Sequence, residues 1–216
     1  MVLTLTAIIA YLSGSIPSAI WVGRMVKGID IREHGSGNMG ATNVARVLGL
    51  PWAMLVAFLD IAKGFAPVFW LGPMSSHGAG FGVAEARLVL TAAAILGHLF
   101  PLFAGFKGGK GVLTAAGAFL AMLPIDVATA IGVWVIVFAT TRIVSVGSLA
   151  AATALIASVL IRRLIFHIPL ADSLVVASIL TGVLVFVTHR SNIRRLIAGT
   201  ESAFKREKAE EPPPGT

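Results

Sequence analysis

Long apolar stretches alternate with short polar ones along the whole chain. Seven stretches of 15 or more residues carry no Asp, Glu, Lys or Arg; residues 2–23 make one of 22 positions, and 88–106 and 143–161 make 19 each. A helix that crosses a bilayer needs roughly 20 apolar residues, so several of these suffice alone. Hydrocarbon offers no water to backbone amides, which leaves helices or a closed barrel as spanning structures. The runs are unbroken and lack the alternation of a barrel strand. The pattern predicts an all-α polytopic membrane protein with segments at about 2–23, 51–72, 87–105, 111–124, 126–141, 144–162 and 169–188.

The fourth and fifth segments share one long run. Between Lys110 and Arg142 lie 31 residues with a single charge, Asp126. One helix of that length would measure about 46 Å, against a hydrocarbon core of about 30 Å. Pro124-Ile125-Asp126 offers a turn, and two helices result. Charge placement favours the same count. With seven spans, 13 Lys and Arg fall on one side and three (Arg87, Arg162, Arg163) on the other, with Lys63 set aside inside a span. With six spans the division becomes 8 against 8. The positive-inside rule therefore predicts seven helices, the N-terminus outside and the C-terminus cytoplasmic.

Composition sharpens this picture in three ways. Only 12% of residues are charged and 56% are hydrophobic, whereas soluble domains carry about 25% charged residues. The first run has no basic residue before it and no cleavage signal, so it is expected to be a permanent span. The absence of cysteine removes disulfide, thiolate and zinc-thiolate chemistry. The net charge of +7 fits loops beside anionic lipid and gives no reason to expect nucleic acid. Residues 1–204 form one domain, and 205–216, charged and then Pro-rich, are expected to be a disordered cytoplasmic tail.

The polar residues cluster in four places, all cytoplasmic in the seven-span topology. The loop Gly35–Arg46 carries glycines whose amides could converge on one anion. Ser36, Asn38, Thr42 and Asn43 add side-chain donors there, and Arg46 can bind phosphate bidentately. An ordinary flexible loop has the same ingredients. Lys107-Gly108-Gly109-Lys110 is a cationic turn just before a helix, where free amides favour anions; a positive-inside anchor would look similar. Thr140–Ser148 supplies hydroxyls and Arg142 at an interhelical turn. His189, Asn192 and Arg195 follow the last span at spacings that share one helical face.

These clusters supply many anion donors but no nucleophile and no metal cage. The five histidines lack H-E-x-x-H spacing, and no serine sits in a G-x-S-x-G elbow. The combination describes a site that holds phosphorylated molecules at a membrane surface, beside helices that can shelter a lipid chain. Asp60 and Lys63 stand apart inside the second span. Intramembrane charges are often functional, and at this spacing they could also simply pair.

Three stretches resemble one family closely. Gly35–Arg46 is similar to G-S-G-N-x-G-A-T-N-x-x-R, Gly97–Val112 to G-H-x-F-P-x-F-x-x-F-K-G-G-K-G-V, and His189–Glu201 to H-R-x-N-I-x-R-L-x-x-G-x-E. The sequence resembles the bacterial acyl-phosphate:glycerol-3-phosphate acyltransferases, a small seven-helix membrane family, over nearly its whole length apart from the tail. The resemblance implies acyl transfer from a fatty acyl phosphate to the 1-hydroxyl of glycerol-3-phosphate in the bacterial inner membrane. Lysophosphatidic acid and phosphate would result, with the active site facing the cytoplasm. It implies no cofactor, no metal and no need for an oligomer.

It also implies roles. Ser36, Gly37, Asn38, Gly40, Thr42 and Asn43 would cradle a phosphate, together with Gly108 and Gly109. Arg46, Lys107 and Lys110 would neutralise phosphate charge, and Ser145 and Ser148 would meet a substrate oxygen. His189 and Asn192 would position glycerol-3-phosphate, with Glu201 as a support. The base is either His189 or a substrate phosphate. An organic-phosphate transporter would gather similar loops, but it is expected to show repeats and midplane sites. A thioester-dependent acyltransferase would be expected to carry a His-x4-Asp pair; His167 and Asp172 have that spacing, but the seven-span topology puts His167 on the outer side, opposite the four polar clusters.

Overall fold

The computed structural model describes residues 1–76, 80 and 82–204. The expected disordered tail at 205–216 lies outside the described residues. The described chain is all-helical. In order, the helices are α1 (Val2–Gly14), α2 (Ser18–Lys27), α3 (Ala41–Val47), α4 (Leu50–Ala66), α5 (Gly72–Ser75) and α6 (Val83–Leu99). After them come α7 (Val112–Leu120), α8 (Pro124–Thr141), α9 (Val144–Leu164), α10 (Asp172–Thr188) and α11 (Arg190–Ile197). A π-helical turn at Pro67–Leu71 carries α4 into α5.

Each of the seven apolar segments holds a helix, but they differ in reach. Five stretches are long and apolar enough to cross a membrane: Val2–Lys27, Leu50–Ser75, Val83–Ala104, Pro124–Thr141 and Val144–Leu164. Asp172–Thr188 with Arg190–Ile197 makes a sixth if the pair, bent by 59°, counts as one span. The outer faces carry large apolar side chains such as Phe58, Trp70, Ile136 and Leu180, each more than 60% exposed. Helices that are apolar all round belong in lipid. The segment predicted at 111–124 is the exception. Helix α7 has nine residues, a rise of about 13.5 Å.

Two breaks fall where the sequence forces them. The first apolar run is interrupted at residues 15–17. Pro17 has no amide hydrogen to continue the ladder, and the Ser15 hydroxyl donates to the Tyr11 carbonyl. Between α7 and α8 the chain turns at 121–123, just before the predicted Pro124-Ile125-Asp126 turn. Pro124 opens α8, a position where a missing amide hydrogen costs nothing. Asp126 therefore lies inside α8, fully buried. It accepts from Ser158 Oγ at 2.6 Å and pairs with Arg162.

Four glycines set the closest helix contacts. A Cβ on Gly14 would sit 2.0 Å from the Ala94 carbonyl oxygen, and one on Gly97 would sit 2.2 Å from that of Tyr11. The same reciprocal arrangement joins α4 to α7. A Cβ on Gly64 would lie 2.1 Å from the Thr114 oxygen, and one on Gly117 would lie 2.0 Å from the Ile61 oxygen. In lipid, where apolar burial does not drive association, such backbone contact is a main source of helix pairing. A second core of Phe119, Leu123, Val127, Leu155 and Val159 joins α7 to α8 and α9.

Gly117→Val places its branch against the backbone of α4, which cannot yield as a side-chain tip can. Overpacking of this kind costs about 1–3 kcal/mol or more. The expected outcome is a lower yield of monodisperse protein and a melting temperature reduced by several degrees in detergent. Gly132→Ala, where a Cβ meets nothing within 4 Å, leaves both unchanged.

Candidate active site

A cavity of about 1570 Å³ opens among α3, α4, α7, α8, α9, α10 and α11. Its apolar lining comes from helix bodies: Met54 and Ile61 of α4, Phe119 of α7, Trp134 and Phe138 of α8, and Leu155 of α9. Its polar lining comes from helix ends and the loops that join them. Arg46, Lys110, Ser145, His189, Asn192, Arg195 and Glu201 all border it. Arg46 makes no ion pair among the described residues.

Glu201 organises the polar wall. Its Oε1 accepts from Ser145 Oγ and from Asn192 Nδ2, each at 2.6 Å, and its Oε2 accepts from Arg195 Nε at 2.6 Å. Three side chains on two helices, one at the start of α9 and two on α11, are thereby fixed to one carboxylate. Burial alone would raise the pKa of Glu201, but these hydrogen bonds outweigh it and hold the group below the usual carboxylate range. Asn192 passes the order on. Its Oδ1 accepts from Lys110 Nζ, so an amide held by Glu201 holds the lysine in turn.

Lys110 is a cation that is losing its solvent. Burial pushes its pKa down to about 8; Glu201 opposes this, while Arg195 and Arg46 add to it. His189 is 2% exposed. Burial first, and then the neighbouring Lys110, push its pKa down to about 4, so the ring is neutral at pH 7. Its Nδ1 lies 2.8 Å from the Val185 carbonyl. A carbonyl can only accept, so Nδ1 carries the proton and Nε2 is left as a hydrogen-bond acceptor at the cavity.

The loop Gly35–Arg46 divides between lining and scaffolding. Ser36, Asn38, Gly40, Thr42, Asn43 and Arg46 all border the cavity, and the amides of Ala41 and Thr42 open α3, where helix geometry leaves N–H groups free. Asn43 is 1% exposed, and its side chain is spent on the backbone. Its Oδ1 accepts from the Ser36 amide at 2.8 Å, and its Nδ2 donates to the carbonyls of Ile31 and His34 at 3.0 Å. It therefore shapes the loop, and the Ser36 amide is already taken. Gly37, at φ +70°, is exposed and makes a turn outside the cavity lining.

The second motif differs more from expectation. The amides of Gly108 and Gly109 donate to the carbonyls of Leu99 and His98, each at 3.2 Å, so they are not a free nest for an anion. The two glycines border a smaller cavity of about 300 Å³ with Asn38, Lys110 and Arg190. Lys107 is exposed and borders neither cavity, because the left-handed turn at Gly105 and Phe106 precedes it on the outer side. Ser145 and Ser148 both border the main cavity, but Ser148 Oγ donates to the Val144 carbonyl within its own helix.

Two groups to which the sequence reading gave no role in the site lie at the cavity. Asp60 and His98 both border it; a buried charge inside an apolar run was the available signal for Asp60. Residues 201–204 form a strap across one edge. The Phe204 amide donates to the Arg142 carbonyl at 2.7 Å, and its ring meets Phe138 edge-on with centroids 6.1 Å apart. Among the described residues, no group of three or more His, Asp or Glu side chains could hold a metal ion.

Residues 4–199 match the family model described as glycerol-3-phosphate acyltransferase. The chain is 43% identical over 216 residues to a glycerol-3-phosphate acyltransferase of Chlorobaculum tepidum, covering 90% of this chain and 93% of that one. It is 42% identical over 209 residues to the protein of that name from Salinibacter ruber, covering 93% and 91%. The fold is similar to the crystal structure of PlsY, an integral membrane glycerol 3-phosphate acyltransferase, in its glycerol 3-phosphate form. That comparison gives a TM-score of 0.79 and 36% identity, over 94% of this chain and 96% of that one. A second form of PlsY, with lysophosphatidic acid, matches equally well at 36% identity and a TM-score of 0.79.

A cation whose pKa lies near 8 loses its charge two units earlier than an exposed lysine, near 10.4. Anion affinity that depends on Lys110 is therefore full below about pH 7 and falls as pH rises through about 8. Calorimetric titration with inorganic phosphate between pH 6.5 and 9.5 is expected to show this fall. Lys110→Arg, which stays charged, removes it.

Proposed function

The chain belongs to the glycerol-3-phosphate acyltransferase family, and on that footing we propose that its acyl donor is a fatty acyl phosphate and its products are lysophosphatidic acid and inorganic phosphate. It is an acyltransferase enzyme and a multi-pass integral membrane protein. The finer reading rests on one observation. A single cavity joins an apolar wall wide enough for a fatty chain to a wall of fixed cations and acceptors at the helix ends. A phosphorylated acyl chain and a small phosphorylated alcohol both suit that division.

We further propose seven crossings, with the N-terminus outside and the cavity's polar end at the cytoplasmic face of the inner membrane. The division of 13 basic residues against three supports it. Helix α7, nine residues long, would make its crossing together with the Lys107–Lys110 loop, which hydrogen-bonds to the end of α6.

In the proposed reaction, the 1-hydroxyl oxygen of glycerol-3-phosphate attacks the carbonyl carbon of the acyl phosphate. The C–O bond to phosphate then breaks, and its electron pair leaves with the phosphate. An acyl phosphate is already activated, so the site mainly has to position and stabilise charge. Lys110 and Arg46 offset the charge on the oxyanion and the departing phosphate. Ser145 and Asn192, ordered by Glu201, orient substrate oxygens. His189 Nε2 accepts the hydroxyl proton in a hydrogen bond that aims the oxygen at the carbonyl. A full proton transfer to it is unfavourable, because its pKa of about 4 lies below that of a phosphate, about 6. The proton therefore goes to substrate phosphate, and His189 acts by aiming.

Purified protein in lipid, offered glycerol-3-phosphate with palmitoyl phosphate, is expected to release phosphate and lysophosphatidic acid. Palmitoyl-CoA and acyl carrier protein thioesters should give neither, and turnover with a thioester would refute the donor. His189→Gln, which keeps an acceptor, is expected to retain more than a tenth of wild-type kcat, while His189→Ala raises KM for glycerol-3-phosphate at least tenfold. A kcat loss of about 10³-fold or more in both variants would restore His189 as the base.

A further inference from the structure

Asp60, Lys63 and His98 form a buried polar group that the proposed reaction does not use. Asp60 is 2% exposed, Lys63 7% and His98 6%. Lys63 Nζ lies 2.8 Å from Asp60 Oδ1 and donates to the Ile16 carbonyl at 2.9 Å, in the break between α1 and α2. The Lys63 carbonyl accepts from Ser13 Oγ at 2.9 Å. Asp60 Oδ1 is 4.0 Å from His98 Nδ1, and that nitrogen is 3.1 Å from Thr114 Oγ1 on α7. Four helices, α1, α4, α6 and α7, thus meet on two charges and one ring.

The other edge of that ring faces the Lys107–Lys110 loop. A Cβ on Gly109 would lie 2.4 Å from His98 Nε2, and one on Gly108 would lie 2.0 Å from the His98 carbonyl oxygen. The Gly109 amide bonds to that same carbonyl. The next residue is Lys110, which enters the cavity and meets Asn192. The glycines are therefore required by His98 and its backbone, which fill the space any side chain would need. A buried ion pair is a poor source of stability compared with apolar packing. This one lies against the ring edge that Thr114 hydrogen-bonds, with its carboxylate 4.0 Å from Nδ1.

We propose that Asp60 and His98 are positioning residues for Lys110. Thr114 holds the His98 ring by its Nδ1 with the Asp60 carboxylate facing the same edge, and the ring sets the path of Gly108-Gly109 that delivers the Lys110 ammonium to the substrate phosphate. This rests on the reading of the cavity as the acyl-transfer site, since it assigns Lys110 a substrate there. The proposed reaction gives neither residue a contact with a reacting atom, so the effect of losing either is expected to be carried by Lys110.

The test compares wild type with Asp60→Asn, His98→Ala, Gly109→Ala and the double variant His98→Ala/Gly109→Ala. It reads kcat/KM across pH 6–10, phosphate affinity across the same range, and the melting temperature. Wild type should lose activity and phosphate affinity through about pH 8. In Asp60→Asn and His98→Ala that fall should move up by at least one pH unit, as the ammonium swings towards solvent, with kcat/KM at pH 7 reduced at least tenfold. Gly109→Ala alone should lose at least tenfold, and removing the His98 ring should recover part of it, so that the double variant is more active than the product of the single effects.

Folded variants that keep the wild-type fall near pH 8, with only a lower melting temperature, would overturn the proposal. So would strictly multiplicative effects of His98→Ala and Gly109→Ala. If Asp60→Asn fails to fold, His98→Ala carries the same measurement. Failure of wild type to turn over acyl phosphate would instead defeat the functional reading, and phosphate affinity would still report the path of Lys110.

Discussion

Backbone-to-backbone contact at four glycines is the constraint on which the rest of this structure depends. In a membrane, apolar side chains gain little by leaving lipid for protein, so close approach must be built from dispersion and small residues. Gly14 with Gly97, and Gly64 with Gly117, bring α1 onto α6 and α4 onto α7 with no side chain between them. Two polar contacts then tie one helix pair to the other. The Ile16 carbonyl comes within reach of Lys63, and Thr114 comes within reach of His98.

Electrostatics in the cavity follows from the same closeness. The cavity's polar wall is too dry to leave its charges independent. Glu201 keeps its charge because three donors converge on it, and the Lys110 ammonium gives up its proton more readily, first because it is buried and then because two arginines lie near it, with Glu201 opposing both. His189 stays neutral for the same reason. The result is a hierarchy: a carboxylate orders an amide, the amide orders an ammonium, and the ammonium forbids a second cation beside it. This explains why a histidine next to phosphate chemistry serves as an acceptor here.

Much of this could be read from the residues, and the exceptions have physical causes. Each apolar run does hold a helix, because hydrocarbon tolerates few alternatives, but run length gave no sign of α3 or α11. It overestimated α7, which starts one residue inside the predicted segment but ends at Leu120, because the chain turns at 121–123, ahead of Pro124. The phosphate-loop reading of Gly108 and Gly109 confused two uses of the same residue. A glycine that exposes its amide to an anion and a glycine that makes room for a neighbouring ring look alike in one dimension. Asn43 misled in a related way: a donor-rich side chain in a polar loop can serve the loop itself. Lys107 and Lys110 are three residues apart with like charge, and only the left-handed turn before them decides which faces inward. Asp60 stood out as a charge in an apolar run, but its connection to Lys110 needed the distances across three other helices.

The strap formed by residues 201–204 has a practical consequence for handling the molecule. Its last described residue, Phe204, rests against Phe138 and hydrogen-bonds to Arg142 at the rim of the cavity. A chain truncated at Phe204 to carry a purification handle, fluorescent fusion or tether would therefore start that addition at the rim of the cavity. Met1, fully exposed at the start of α1 and not among the cavity-lining residues, is a point of attachment away from that rim.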